Sequence, residues 1–337
     1  MTSGASGGPD PLGGPPPAVF LVGATASGKG AVAYGLARSL GAGAAEIVSL
    51  DSMKIYRGLD AGTNKPGADL RRAVPTHLLD VVSPSEEYSV ERYRAAALTC
   101  AAGIRGRGAR PLFAGGTPLY LRALVSGLFS GPSADAKLRE GLEREAGERG
   151  APSLHARLTQ LDPDAAARIH PNDLRRVVRA LEVFEVTGMP ISRWQREWGT
   201  VRTDVVLVGI RRGRDDLRSR ISERVDRIFE AGLEAETRSL LAAPGGLSRT
   251  AAQALGTRQV LGAIEGRFSM EEAKRRTVRE TLRYARQQLA WFRRYPGLVW
   301  FDVEPGTSLE STVERAASAV REAESRLTAS RGRTSRS

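Results

Sequence analysis

The sequence predicts an α/β protein, a parallel sheet flanked by helices and interrupted by an inserted all-helical segment. Three observations point there. Short apolar runs alternate with helix-patterned stretches at crossover spacing over residues 18–128. A glycine-rich turn follows the first of those runs. Between residues 129 and 200 the strand pattern stops, and four helical pieces rich in arginine and glutamate replace it.

In chain order, MTSGASGGPDPLGGPPP (1–17) is Gly/Pro-rich and lacks the basic-then-apolar order of a signal peptide. It is expected to be a disordered leader. AVFLVG (18–23) reads as a strand, and GAVAYGLARSLGA (30–42) as a helix with a glycine stop. AEIVSLD (45–51) is a second strand, HLLDVV (77–82) a weaker third and RPLFAGG (110–116) a fourth. The helix at 89–108 opens on a Ser-x-x-Arg cap, and TPLYLRALVSG leads into another. KLREGLEREAGERG, SLHARLTQL, DAAARIH and DLRRVVRALEVFEVTG form the inserted segment. DVVLVGI (204–210) returns to the sheet, and a helical stretch over 214–293 breaks near 243–246 and 255–257. GLVWFDV (297–303) is the last strand and 308–327 the last helix. The expected organisation is an α/β core from 18–128 and 201–328, a helical insertion at 129–200 and a disordered tail at 329–337.

At 337 residues and 41% hydrophobic the chain can bury an ample core. No run approaches the roughly 18 apolar residues of a membrane span. The single cysteine, Cys100, excludes an internal disulfide and cannot alone hold zinc, so a cytoplasmic, membrane-free protein is expected. The net charge of +12 suits a polyanionic partner. With only five lysines, nearly all of that charge is arginine, which codon bias also produces.

GATASGKG, Gly23 to Gly30, matches Gly-x-x-x-x-Gly-Lys-[Ser/Thr] at all but its last residue. A turn of this kind between strand and helix aims backbone N–H groups, a helix dipole and a lysine charge at one point. It makes the predicted fold a P-loop NTPase-like sheet. The loop residues Gly23, Ala24, Thr25, Ala26, Ser27, Gly28, Lys29 and Gly30 are therefore the candidate phosphate site. At Gly30 the hydroxyl that usually reaches magnesium is missing, so the metal ligand is unknown. SLDSMKIYRGLDAGTNKP (49–66) puts Asp51 and Ser52 at the carboxyl end of a strand, where open α/β sheets bind ligands. A carboxylate there either holds magnesium or takes a proton from a nucleophile, or else it caps a helix.

GATASGKG, DSMKIYRGLDAGTNKP, GGTPLYLRAL (115–124) and RIHPNDLRRVVRALEVFEVTG (168–188), in this order, resemble the tRNA dimethylallyltransferases, also called tRNA isopentenyltransferases. The resemblance runs from about Val19 to Asp302. It implies transfer of a dimethylallyl group from dimethylallyl diphosphate to the N6 amine of the adenosine 3′ of the tRNA anticodon, with diphosphate leaving and Mg2+ as cofactor. It implies Asp51 as general base, Lys29 as a stabiliser of the leaving diphosphate and Thr117 beside the reacting centre, although Thr117 also reads as a helix cap. The insertion matches the family's anticodon stem-loop subdomain. The tRNA contacts fall on Asp51, Ser52, Met53, Lys54, Thr117, Arg139, Arg175, Arg176, Arg179, Arg258, Arg286, Gln288 and Arg293. The arginines of RRVVR also read as a solvated face paired with Glu182, and Trp291 and Phe292 as base-stacking or buried.

Three departures bear on the diphosphate side. Gly30 lacks the hydroxyl. Leu282 falls where the family pattern has an arginine, with Arg283 or Arg286 as substitutes. Gln287 replaces another arginine. A tRNA-binding relative without activity, a small-molecule P-loop kinase and a transferase for free adenine nucleotides remain alternatives. A monomer is expected.

Overall fold

The structure, a computed structural model, describes residues 10–129, 131–132, 135–196 and 201–334, without the side chains of 330–334. It divides into two compact units, Met1–Val125 with Val201–Ser337, and Ser126–Thr200. The first unit begins β1 (Val19–Gly23), α1 (Lys29–Ser39), β2 (Ala45–Leu50), α2 (Ala68–Ala73), β3 (Thr76–His77), α3 (Val90–Gly106), β4 (Arg110–Gly115) and α4 (Pro118–Val125). The second holds α5 (Ala136–Arg149), α6 (Ala151–Leu161), α7 (Pro163–Ala166), α8 (Leu174–Thr187) and α9 (Ile191–Arg196). The first resumes with β5 (Val206–Arg212), α10 (Arg214–Glu230), α11 (Leu233–Ala242), a 3-10 turn at Ala251–Gln253, α12 (Thr257–Ile264), α13 (Met270–Phe292), β6 (Val299–Val303) and α14 (Leu309–Thr334).

The six strands pair in the order β3-β2-β4-β1-β5-β6, every neighbouring pair parallel. Parallel sheets need both faces covered, which is why these strands read as continuous apolar runs. On one face Phe20, Val22, Val48, Leu50 and Phe113 pack with Tyr93, Ala97, Ala101 and Ile104 of α3. On the other Val19, Leu21, Ile47, Leu112 and Val208 meet Val32, Ala33 and Leu36 of α1 and Ala316 and Val320 of α14. The two-residue side-chain period thus builds two cores from the same strands. In the second unit, Leu142, Leu154, Leu158, Val177 and Leu181 form a separate core. Asp135, Asp162 and Asp173 cap α5, α7 and α8, each accepting an N–H three residues on.

Four expectations need correcting. Of HLLDVV only His77 falls in a strand, the end of β3, because Leu78 and Asp80 adopt left-handed conformations with φ of 60° and 55°. The expected leader is docked from residue 10 onward: Leu12 is fully buried, and Arg105 donates to the carbonyls of Pro11, Leu12 and Pro16. Residues 1–9 lie outside the described residues, as do 335–337. Residues 329–334 of the expected tail continue α14. The stretch 214–293 breaks further, at Gly232 (φ 89°) and before the Ser269 cap.

Candidate active site

Strand register creates the site. Gly115 of β4 lies opposite both Val22 of β1 and Leu50 of β2, so the following residues Gly23, Gly116 and Asp51 share one edge of the sheet. A cavity of about 1070 Å³ opens at that edge, lined within the first unit by the phosphate loop, Asp51–Lys54, Gly116, Thr117 and faces of α10 and α13.

The loop is held open from behind. Ala26 and Gly28 are left-handed, with φ of 62° and 90°. Lys29 Nζ donates to the Ala24 carbonyl at 3.0 Å, Arg220 Nε to Ala26 at 2.9 Å and Arg212 Nε to Ser27 at 2.8 Å. The first amides of α1 have no intrahelical acceptor, and Lys29, Gly30 and Ala31 all line the cavity. A Cβ at Gly116 would stand 2.5 Å from Gln288 Nε2 and 3.2 Å from Lys29 Nζ, so any side chain there would displace the Gln288 amide.

Burial pushes the Lys29 ammonium down to about 7; the Asp51 charge opposes this, and Arg224 and Lys54 push the same way. Burial also lowers Lys54 and Arg224. The lower wall is thus an excess of desolvated positive charge facing one carboxylate. Asp51 Oδ1 accepts the N–H groups of Met53 (2.9 Å) and Lys54 (3.4 Å), which fixes the carboxylate at the strand end. Thr117 is not a side-chain helix cap: its Oγ1 accepts the Ser52 N–H at 3.1 Å, while its carbonyl starts α4. Tyr284 of α13, with Gln288 and Thr117 as hydrogen-bond neighbours, is pushed up to about 12 by burial and the Asp51 charge, and stays a neutral donor.

Arginines of α10 complete the phosphate end. Arg220, Arg224 and Arg227 follow i, i+4, i+7 spacing, line the cavity, and Arg224 donates to Thr25 Oγ1 at 3.2 Å.

A family model described as IPP transferase matches residues 54–295. The chain belongs to the IPP transferase family. It is 42% identical over 297 residues to a tRNA dimethylallyltransferase of Geobacter sulfurreducens, covering 88% of this chain and 94% of that protein. It is 45% identical over 283 residues to one of Anaeromyxobacter dehalogenans, covering 84% and 93%. Among solved structures, the full-length tRNA isopentenylpyrophosphate transferase of Bacillus halodurans matches at TM-score 0.65 and 36% identity, over 92% of this chain and 98% of that one. A eukaryotic dimethylallyltransferase, described as acting on tRNA, matches at TM-score 0.72 and 25% identity, over 89% and 76%.

Within this IPP transferase fold the expected residues separate into groups. Lys29, Asp51, Ser52, Met53, Lys54, Thr117, Arg258 and Gln288 line the cavity together with Thr25, Ala26, Gly28 and Gly30 of the loop, whereas Gly23, Ala24 and Ser27 do not. Gln288 is 2% exposed and spends both amide atoms inside the protein, accepting from Thr25 N at 2.8 Å and donating to Gly116 O at 2.5 Å. It clamps the loop, so an external RNA contact through that side chain does not fit. Arg258 is exposed and pairs with Glu280. Arg286 and Arg293 are exposed on or just beyond α13, and neither lines the cavity. Phe292 is fully buried, whereas Trp291 is half-buried with the Arg122 and Arg294 guanidiniums 5.8 and 6.0 Å from its ring.

In the second unit, Arg139 and Arg179 both bond the fully buried Glu182 carboxylate, at 2.8 and 2.6 Å. Arg175 and Arg176 are exposed, Arg176 pairing with Asp173.

Leu282 joins an apolar cluster with Ala24, Leu217, Ile221 and Ala285, off the cavity wall, and Arg283 lines the cavity where Arg286 does not. Arg212, Arg220, Arg224 and Arg227 escaped the sequence reading. The i, i+4, i+7 run beside apolar Leu217, Ile221 and Val225 was the available signal.

Proposed function

We propose that this protein is a tRNA dimethylallyltransferase. It moves a dimethylallyl group from dimethylallyl diphosphate to the N6 amine of the adenosine 3′ of the anticodon. The observation that supports this most directly is one cavity holding both a phosphate cradle and a fixed carboxylate. Lys29, the loop amides and Arg220 and Arg224 take the charge that builds on the diphosphate as the allylic C–O bond breaks. The bonding electron pair leaves with the diphosphate oxygen. The adenine N6 lone pair forms the new C–N bond, and Asp51 accepts the proton that N6 loses. Thr117 holds the Ser52 amide and so sets the wall beside Asp51. An adenine stacked in a tRNA cannot enter such a cavity, so the target base must be flipped out of its loop.

The tRNA is held by exposed cations: Arg258, Arg286 and Arg293 in the first unit, and Arg175 and Arg176 in the second, whose fold serves the anticodon stem-loop. We propose a monomer acting in the cytoplasm; among the described residues no helix is long and apolar enough to cross a membrane. Mg2+ would travel with the diphosphate, since Gly30 offers no ligand where the loop pattern has a hydroxyl.

Purified protein incubated with dimethylallyl diphosphate and unmodified tRNA, followed by nucleoside analysis, tests the proposal. Isopentenylated adenosine is the expected product. Tight tRNA binding without product, or ATP turnover with a small acceptor, would reject it.

A further inference from the structure

Position 30 is glycine for no structural reason. Nothing stands within 4 Å of a Cβ built there, and its backbone lies in the first turn of α1 without positive φ. Glycine is a poorer helix former than alanine. The residue that would hold magnesium is therefore absent without any packing or conformational demand for its absence.

The other carboxylates around the cavity are already engaged, and among the described residues the buried Ser49 hydroxyl is the wall oxygen left without a partner. Asp60 bonds Lys65, Glu280 bonds Arg258 and Gln259, and Glu223 accepts from Ser219 Oγ. Asp51 gives one oxygen to two backbone amides, and proton acceptance requires the other. A carboxylate oxygen ligating a cation is a weak base, so Asp51 cannot serve both purposes at once. Positive charge, by contrast, is abundant at the phosphate end. Lys29, Arg220, Arg224 and Arg227 line it, and Arg212 is neutralised by Asp216 at 2.9 Å while it holds the Ser27 carbonyl. Planar guanidiniums match phosphate oxygens bidentately and in a dry site provide the neutralisation that a metal otherwise supplies.

We infer that this chain binds the diphosphate of its donor on its own lysine and arginines, with no magnesium ion ligated by the protein. The inference rests on the reading of the cavity as a diphosphate site. It makes the α10 arginines, rather than a loop hydroxyl, the partners that set donor affinity.

Calorimetric binding of inorganic pyrophosphate to the full chain tests it, in EDTA and at matched free pyrophosphate with Mg2+. The wild type is expected to bind in EDTA within about threefold of its affinity with Mg2+, while Arg224→Gln weakens metal-free binding by about tenfold or more. Gly30→Thr, which has room and a compatible backbone, is expected to gain about tenfold more affinity from Mg2+ than wild type does. Loss of wild-type binding in EDTA with recovery on adding Mg2+ would overturn the inference, as would a Gly30→Thr protein that responds to Mg2+ no more than wild type. Metal-free pyrophosphate binding without prenyl transfer to tRNA would support this inference and reject the function proposed above.

Discussion

The side-chain carbonyl of Gln288 accepts the Thr25 N–H at 2.8 Å, while its amide nitrogen donates to Gly116 O. One buried amide on α13 thereby ties the phosphate loop to the end of β4. Replacing Gln288 by alanine leaves the Thr25 amide and Gly116 carbonyl without partners in a cramped site, at about 1–3 kcal/mol each. Steady-state kinetics should show the KM for dimethylallyl diphosphate rising about tenfold. The dissociation constant for tRNA should stay within about twofold. A tRNA affinity that falls as far as the donor affinity would return Gln288 to the RNA-contact role.

Lys29 is half-buried on the cavity wall and desolvation pushes its pKa down to about 7, so folding of the empty protein works against its charge. The sign follows from proton counts. Between pH 7 and the usual lysine range the unfolded chain holds the extra proton, so stability rises with pH across that window. The penalty is complete below pH 7. Lys29→Met should therefore raise the apo stability at pH 7 by roughly 2 kcal/mol, even after the Ala24 carbonyl loses its partner. Chemical denaturation checks this, and prenyl transfer should be lost in the same variant. Diphosphate restores the charged form, so at pH 8 pyrophosphate binding should take up a proton from buffer. Calorimetry in buffers of different ionisation enthalpy reads that uptake directly.

Asp51→Asn keeps an acceptor oxygen for the Met53 and Lys54 amides, so the strand end should retain its shape. What disappears is the proton acceptor. We expect kcat to fall by about 10²–10⁴-fold, with both KM values changed little. Equal loss in kcat and in tRNA affinity would instead make Asp51 an RNA contact alone.

Burial raises the Glu182 carboxyl, but the hydrogen bonds from Arg139 and Arg179 outweigh it and hold the group below its ordinary value. The stabilisation is present at neutral pH and is lost as the pH falls below the unfolded carboxylate range. Glu182→Ala strands two cations on the helical unit and should destabilise it by about 3 kcal/mol, seen in thermal melts. Arg175→Glu with Arg176→Glu should leave the melt within about 0.5 kcal/mol of wild type. In the same double variant tRNA binding and the salt dependence of that binding should both weaken. If the Arg175/Arg176 variant binds tRNA normally, the exposed face of α8 is only a solvated surface.

The sheet was legible because its strands are contiguous apolar runs, and a period of two or a continuous run needs no distant information. HLLDVV failed that rule: apolar content argued for a strand, but the chain turns at Leu78 and Asp80 to bring Lys65 onto Asp80. The leader failed for the opposite reason. Its Gly/Pro composition argued for disorder, yet Leu12 finds a buried site and Arg105 satisfies the carbonyls that such a segment leaves open. Arg139 and Arg179 could be placed on helices from sequence, but only the burial of Glu182 makes them internal partners.

Local order along the chain was enough to establish the alternating strands and helices, the phosphate loop with Lys29, the carboxylate after β2 and the family, because each depends on neighbours within one element or on motif order. Tertiary packing decided which side chains meet. Gln288 and Thr25 are 263 residues apart, and Arg224 reaches Thr25 across 199. Those contacts depend on which faces of α10 and α13 turn toward the loop. The apolar cluster of Ala24, Leu217, Ile221, Val225 and Ala285 sets that rotation, packing half-buried Leu282 against it and presenting the α10 arginines to the cavity. No pattern within a single helix contains that information, since it is fixed only when two amphipathic faces bury each other.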